Sequence, residues 1–158
     1  MIASGTGLLV RWFTRWDREA VTTLLAALAG QHGAQVQSED LTRAFEYALR
    51  VPDEVRFCVA VRDGKVIGQA SLHRAFSTWS ARPCGTIEDV YILEQERRSG
   101  VATAIFDFLA AEARRRGYCR LRLDVQADNE PARAFYDRYG LHDTSYVVYE
   151  LPVEESAP

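Results

Sequence analysis

The chain is poor in cysteine, nearly balanced in charge and free of long apolar runs, and each shortage excludes something. Its three cysteines, Cys58, Cys84 and Cys119, stand far apart, with no C-x-x-C pair and no histidine close by. The number is odd for a disulfide framework and the spacing wrong for a zinc site, so no metal is expected and a reducing cytoplasm is the expected setting. A formal net charge of −3 lacks the basic excess that displaces counterions from nucleic acid. No segment supplies the roughly 20 apolar residues that cross a bilayer, and the start lacks the basic and apolar regions of a secretory signal. No repeat or linker divides the sequence. What remains is 158 residues, 47% hydrophobic and 26% charged, which fits one globular domain able to bury an ordinary core. That domain is expected to span 1–158, with 1–5 and 152–158 loose.

Periodicity orders the chain. Residues 7–13 are apolar enough for a first strand. Asp17 stands as an N-cap before the helical stripe Ala20, Val21, Leu24, Leu25 and Leu28, which Gly30 and Gly33 end. A second helix starts at Ser38 and runs until Pro52 stops it. Residues 55–61 and 65–76 read as strands around the hairpin turn Asp63-Gly64. A loop at 77–83 precedes a strand at 84–93, then a helix carrying Ala102, Ile105, Phe106, Leu109 and Ala113 on one face. Arg114, Arg115 and Arg116 compensate its C-terminal dipole ahead of Gly117. A strand at 119–125, a helix at 129–139 and a last strand at 145–151 complete the order β-α-α-β-β-β-α-β-α-β. This is a mixed α/β sheet with helices on its faces, and residues 84–125 should form a right-handed parallel unit.

Function concentrates in residues 86–141. A strand there feeds a glycine turn that opens a helix, with Arg97, Arg98, Ser99, Gly100, Val101, Ala102 and Thr103 around the helix start. The first-turn N–H groups of a helix have no intrahelical partner and carry partial positive charge, so such a turn suits a phosphate. On the strand, Glu88 is a carboxylate beside apolar Val90 and Ile92, and by strict alternation Asp89 should face the other way. One of the two carboxylates should then reach a substrate. In the later helix, Asn129, Ala132 and Tyr136 share one stripe, while Phe135 and Tyr139 look like core. Asn129 reads equally as an N-cap or a ligand-binding group. His73 reads more readily as a structural histidine than as a base, and Cys84 lacks the partner histidine of a nucleophile.

Arg97-x-x-Gly100-x-Ala102 after a strand, followed by Asn129-x-x-Ala132-x-x-Phe135-Tyr136 and Tyr139-Gly140-Leu141, resembles the two signatures of the GNAT N-acetyltransferase superfamily. The resemblance implies the GNAT fold, a central twisted mixed sheet of six to seven strands with about four helices and two parallel strands that splay apart around the cofactor. It implies acetyl-CoA as cosubstrate, its pyrophosphate on the 97–103 turn and its pantetheine arm along the backbone of Val90, Tyr91 and Ile92 and near Asn129. It also implies an oxyanion-stabilising N–H near Val90, Tyr136 as the acid that protonates the departing thiolate, and Glu88 as base or ammonium anchor. A phenol suits the acid role, since it is protonated at neutral pH and donates.

Phe76-Ser77-Thr78-Trp79, ahead of Ile87-Glu88-Asp89-Val90-Tyr91, resembles the spermidine/spermine and thialysine branch of that superfamily. On that reading Glu88, Asp89, Phe76 and Trp79 hold a small cationic amine by charge and cation–π contact. The expected activity is direct acetyl transfer to the primary amine of a diamine, polyamine or lysine-like amino acid, in a ternary complex. Nucleic acid and membrane are not expected as partners, and a homodimer is. The alternatives are an enzyme acting on an aminoglycoside or a peptide or protein amine, or a non-catalytic acyl-CoA-binding regulator.

Overall fold

The computed structural model describes residues 2–4, as backbone, and 7–153. Two compact units emerge from the contacts, residues 1–124 and 125–158.

The first unit holds one six-stranded sheet in chain order, β1 (Ile2–Ser4), β2 (Leu8–Trp12), β3 (Val55–Arg62), β4 (Lys65–Ser77), β5 (Arg82–Ile92) and β6 (Leu121–Arg122). Every neighbouring pair is antiparallel except β5 and β6, which run parallel around a helical crossover. The mixed α/β class read from periodicity therefore holds. Ile2–Ser4 pairs with β2 as an edge strand where a loose start was expected. Met1, Gly5 and 154–158, also expected loose, lie outside the described residues.

Three helices cover the sheet, α1 (Arg18–Gln31), α2 (Ser38–Arg50) and α3 (Val101–Arg115). Alternation gives each strand two faces. On one, Phe57 and Val59 meet Val21 and Leu25 of α1, Phe45 and Ala48 of α2, and Phe13. Phe13 packs edge-on against both Phe45 and Phe57, at 5.0 and 5.5 Å. On the other lies α3, whose stripe of Val101, Ile105, Phe106, Leu109 and Ala113 is buried as its spacing requires. Trp12 meets Phe108 on that side at 4.9 Å.

Local chemistry corrects the entry to α1. Thr14 caps a single 3-10 turn at Arg15–Asp17, and Asp17 makes no cap bond to α1. Its buried carboxylate accepts a bidentate pair from Arg11 (2.7 and 2.9 Å) and the Thr14 N–H (2.7 Å). Burial works to raise its pKa, yet the Arg11 and Thr14 bonds outweigh it and hold the group low.

The arginines closing α3 do more than offset a dipole. Arg115 and Arg116 both fold back onto buried Glu112, and Arg116 reaches on to Asp53 at 3.0 Å. The Arg115 hydrogen bonds, with Arg116 in support, hold the Glu112 carboxyl down to about 2 from an ordinary 4.5.

The second unit contains α4 (Glu130–Tyr139). The Asn129 side chain accepts from the Ala132 N–H at 3.3 Å, and Gly140, at φ 106°, ends the helix in a left-handed cap. Residues 145–151, expected as a strand, belong to no ladder among the described residues. Tyr146, Val147, Val148 and Tyr149 carry high β propensity, but propensity without a pairing partner does not make a strand.

No helix among the described residues is long and apolar enough to cross a membrane. Among them, no group of three or more His, Cys, Asp or Glu could hold a metal ion.

A Cβ on Gly85 would lie 2.7 Å from Leu121 and 2.9 Å from Leu72, where β5 meets β6. Gly85→Ala should therefore lower stability by about 1–2 kcal/mol in urea melts, and an unchanged midpoint would show that the junction yields freely. Glu112 is depressed in the folded chain, so its contribution is complete above pH 4.5 and is lost as pH falls toward 2. Glu112→Gln should cost roughly 1–3 kcal/mol at neutral pH and flatten the acid side of the stability curve between those values.

Candidate active site

The site is built where β5 breaks its own alternation. Gln69 pairs with Tyr91 and Ser71 with Glu88, so Asp89 and Val90 together stand against Ala70. Such an extra residue is a β-bulge, and Asp89 sits at its kink with φ 53°. The bulge overturns the expectation that Glu88 and Asp89 point to opposite faces. Asp89 Oδ2 accepts from the Ser71 hydroxyl at 2.6 Å, and Glu88 Oε2 lies 3.8 Å from Nε2 of His73. Both carboxylates thus converge on one row of β4.

That row is Gln69, Ser71 and His73, at period two on the face turned toward α1 and α2. Ser71 Oγ and His73 Nε2 are 2.9 Å apart. Gln69 is fully buried, and neither atom of its amide has a partner among the described residues. A cleft of about 510 Å³ opens beside the row, lined by Tyr47 of α2, Glu54 and Phe57 around the start of β3, His73 and Arg74 of β4, and Asp89. Tyr47 donates to Glu54 at 2.6 Å, fixing a third carboxylate at the rim.

Little in the sequence marks these groups. Ser71 and Gln69 belong to no motif, and His73 reads more readily as a structural histidine. A signal existed: polar side chains at 69, 71 and 73 alternate with Ala70 and Leu72 in a strand whose apolar neighbours demand burial.

The proposed anion seat has the right form. A 3-10 turn at Glu94–Glu96 leads through Arg98 (φ 62°) and Gly100 (φ 83°), both left-handed, into α3. Ala104 donates to Gly100 O, so the N–H groups of Val101, Ala102 and Thr103 precede that first helical bond. Nothing lies within 4 Å of where a Cβ on Gly100 would stand, and the mouth of the turn is open. Arg97 and Ser99 also brace the turn. Arg97 Nε donates to Ile92 O at 3.1 Å with its guanidinium over the Tyr91 ring, and Ser99 Oγ donates to Glu96 O at 2.6 Å.

Strand β5 ends beside this turn, paired on one side. Its ladder with β6 covers only Gly85–Leu121 and Thr86–Arg122, whereas its ladder with β4 continues to Ile92. Among the described residues, Val90, Tyr91 and Ile92 therefore face their β6 side without a ladder. An extended chain bearing amides fits that edge as an added strand would. With the open turn, the residues present fit an acyl-CoA.

The structure sets Phe76 and Trp79 apart from the carboxylates. Phe76 lies near the end of β4, five residues beyond Ser71, or about 17 Å at ~3.3 Å per residue, and Trp79 lies further on, in the turn of the β4–β5 hairpin. Trp79 is 97% exposed there. In the second unit, Tyr136 lies half-buried on α4, and burial raises its phenol pKa, which keeps it protonated. Asn129 serves that helix as its N-cap.

Residues 18–141 match the Acetyltransferase (GNAT) family, a stretch that spans both compact units. The chain is 27% identical to the aminoalkylphosphonate N-acetyltransferase of Salmonella typhimurium over 137 residues, 87% of this chain and 86% of that protein. It is 34% identical over 67 residues to the type 1 aminoglycoside N(6')-acetyltransferase of Acinetobacter genomosp. 13. That match takes in 42% of this chain and about half, 46%, of the relative. A crystal structure of a probable acetyltransferase superposes with a TM-score of 0.83 at 24% identity, covering 94% of this chain and 99% of that one, a likeness of fold.

The open turn yields a direct test. Gly100→Val places a β-branched side chain at φ 83° over the first-turn N–H groups. It should weaken acetyl-CoA binding, read by titration calorimetry, by about tenfold or more. Unchanged affinity would show that the diphosphate sits elsewhere.

Proposed function

The chain belongs to the Acetyltransferase (GNAT) family of acetyl-CoA-dependent N-acetyltransferases, and from that premise we propose that it acetylates the primary amine of a small cationic acceptor, a diamine, polyamine or lysine-like amino acid, held at Glu88 and Asp89. The observation that carries this reading is the bulge, which turns two adjacent carboxylates to one face beside a cleft of about 510 Å³. Glu54 adds a third negative charge at the rim. An ammonium needs such partners to leave water, and a chain of methylenes finds Phe57 and Val55 along the wall.

The residues divide the work by chemistry. Bound acetyl-CoA supplies an activated acyl group. The amides of Val101, Ala102 and Thr103, with Arg97 and Arg98, hold its diphosphate. The unladdered edge of Val90, Tyr91 and Ile92 aligns the arm, and a backbone N–H near Val90 is the donor for negative charge developing on the acyl oxygen. Tyr136, kept protonated by burial, supplies the proton that lets the thiolate depart. Two reactants held adjacent account for a large share of the rate.

A second reading is favoured by Arg74, which lines the same cleft as Asp89 and suits an acceptor bearing an acidic group as well as an amine. The Salmonella relative, an aminoalkylphosphonate N-acetyltransferase, is named for an acceptor of that kind.

Free thiol release from acetyl-CoA, measured across 1,4-diaminobutane, spermidine, lysine, 2-aminoethylphosphonate and an aminoglycoside, separates the readings. Highest kcat/KM for a diamine, polyamine or lysine supports the first, and preference for the phosphonate supports the second. Tight cofactor binding with no thiol from any amine would make the chain a binding module. Tyr136→Phe should lower kcat by about 10²-fold with acetyl-CoA affinity little changed, and an undiminished rate would remove Tyr136 as the acid.

A further inference from the structure

The Ser71–His73–Glu88–Asp89 cluster carries more than an ammonium seat. Hydrogen counting decides its polarity. An ionised carboxylate only accepts, so in the 2.6 Å bond to Asp89 the single hydroxyl hydrogen of Ser71 is the donor. Ser71 Oγ then has only lone pairs left for His73 Nε2, 2.9 Å away, and Nε2 must carry a hydrogen. Glu88 Oε2, at 3.8 Å from the same nitrogen, favours the same assignment. Among the described residues, the polar contacts of the ring run through Nε2 alone. Neutral His73 therefore holds its lone pair on Nδ1, and His73 lines the cleft.

We propose that His73 is the general base of the transfer, acting through Nδ1, with Ser71 and Asp89 as positioning residues that set its tautomer. This rests on the acetyltransferase reading above. The step is a balanced proton transfer. The N–H bond of the acceptor ammonium breaks, its electron pair stays on nitrogen for attack on the acyl carbon, and a new N–H bond forms at Nδ1. The imidazolium so formed donates from Nε2 toward Ser71 and Glu88, then returns its proton to solvent.

Other charges facing the ring are few. Glu88 and Asp89 come from β5, Arg74 from its own strand, Glu54 from the approach to β3, and the Tyr47 phenol from α2.

The test combines a measurement without substrate and one with it. In the free enzyme, ¹⁵N–¹H correlation spectra of the histidines should show neutral His73 with its hydrogen on Nε2, and Ser71→Ala should erode that preference. With whichever amine turns over best, His73→Gln should lower kcat about 10²-fold while acetyl-CoA affinity holds, and should abolish the His73-governed fall in kcat/KM on the acid side. Imidazole in the buffer should restore part of the rate to His73→Ala. An Nδ1–H tautomer, or wild-type kcat in His73→Gln, overturns the proposal. Failure of the diamines alone sinks the acceptor reading and leaves this one tested on another amine. If no amine turns over, the transferase reading falls and the base assignment with it.

Discussion

Everything at the site depends on one surplus residue. Between the Gln69–Tyr91 and Ser71–Glu88 pairs, β5 must fit Asp89 and Val90 opposite Ala70 alone. A regular ladder would send Glu88 and Asp89 to opposite sides of the sheet, one of them into the apolar layer under α3. The kink at Asp89 spares that layer and aligns two carboxylates above Ser71 and His73. It stands within the stretch where, among the described residues, β5 runs on without β6, so charge and unladdered amides adjoin.

The rest of the first unit holds this defect in place. Apolar layers press on both faces, α1 and α2 with Phe45, Val21 and Phe57 on one side, and α3 with Ile105 and Leu109 on the other. An interior packed so densely leaves a kinked strand little freedom to straighten. Gly68 lets Ile92 and Val101 approach within 3.2 and 3.4 Å of where its Cβ would be, bringing the end of β5 and the start of α3 together. The turn that opens α3 and the carboxylates are thus fixed relative to each other through the same two strands.

Much of the fold was legible in the sequence because hydrophobic period and turn chemistry are local. The stripe from Ala102 to Ala113, the Asp63-Gly64 hairpin and the Gly100 helix start each announce themselves within a dozen residues. Residues 145–151 misled for the same reason: alternation states a capacity to pair, and pairing needs a second strand. Asp17 takes the N-cap position of α1 that its spacing suits, but it makes no cap bond, because Arg11, six residues earlier, offers its carboxylate a charged partner. At the candidate site, the glycine turn before α3 and the carboxylate of Glu88 are visible in the sequence, while the contacts of Ser71 with His73 and Asp89 are not.

From the sequence alone came the family resemblance, the mixed α/β class, the glycine turn that opens α3 and the acidic strand, because each is written in neighbouring residues whose backbone must take one form. Only the tertiary structure decided that Glu88 and Asp89 share a face, that Ser71 bridges Asp89 and His73, and that Trp79 stands apart from them. Those facts turn on register between strands 18 residues apart in sequence, and a slip of one residue there reverses every side chain without altering a letter of the pattern.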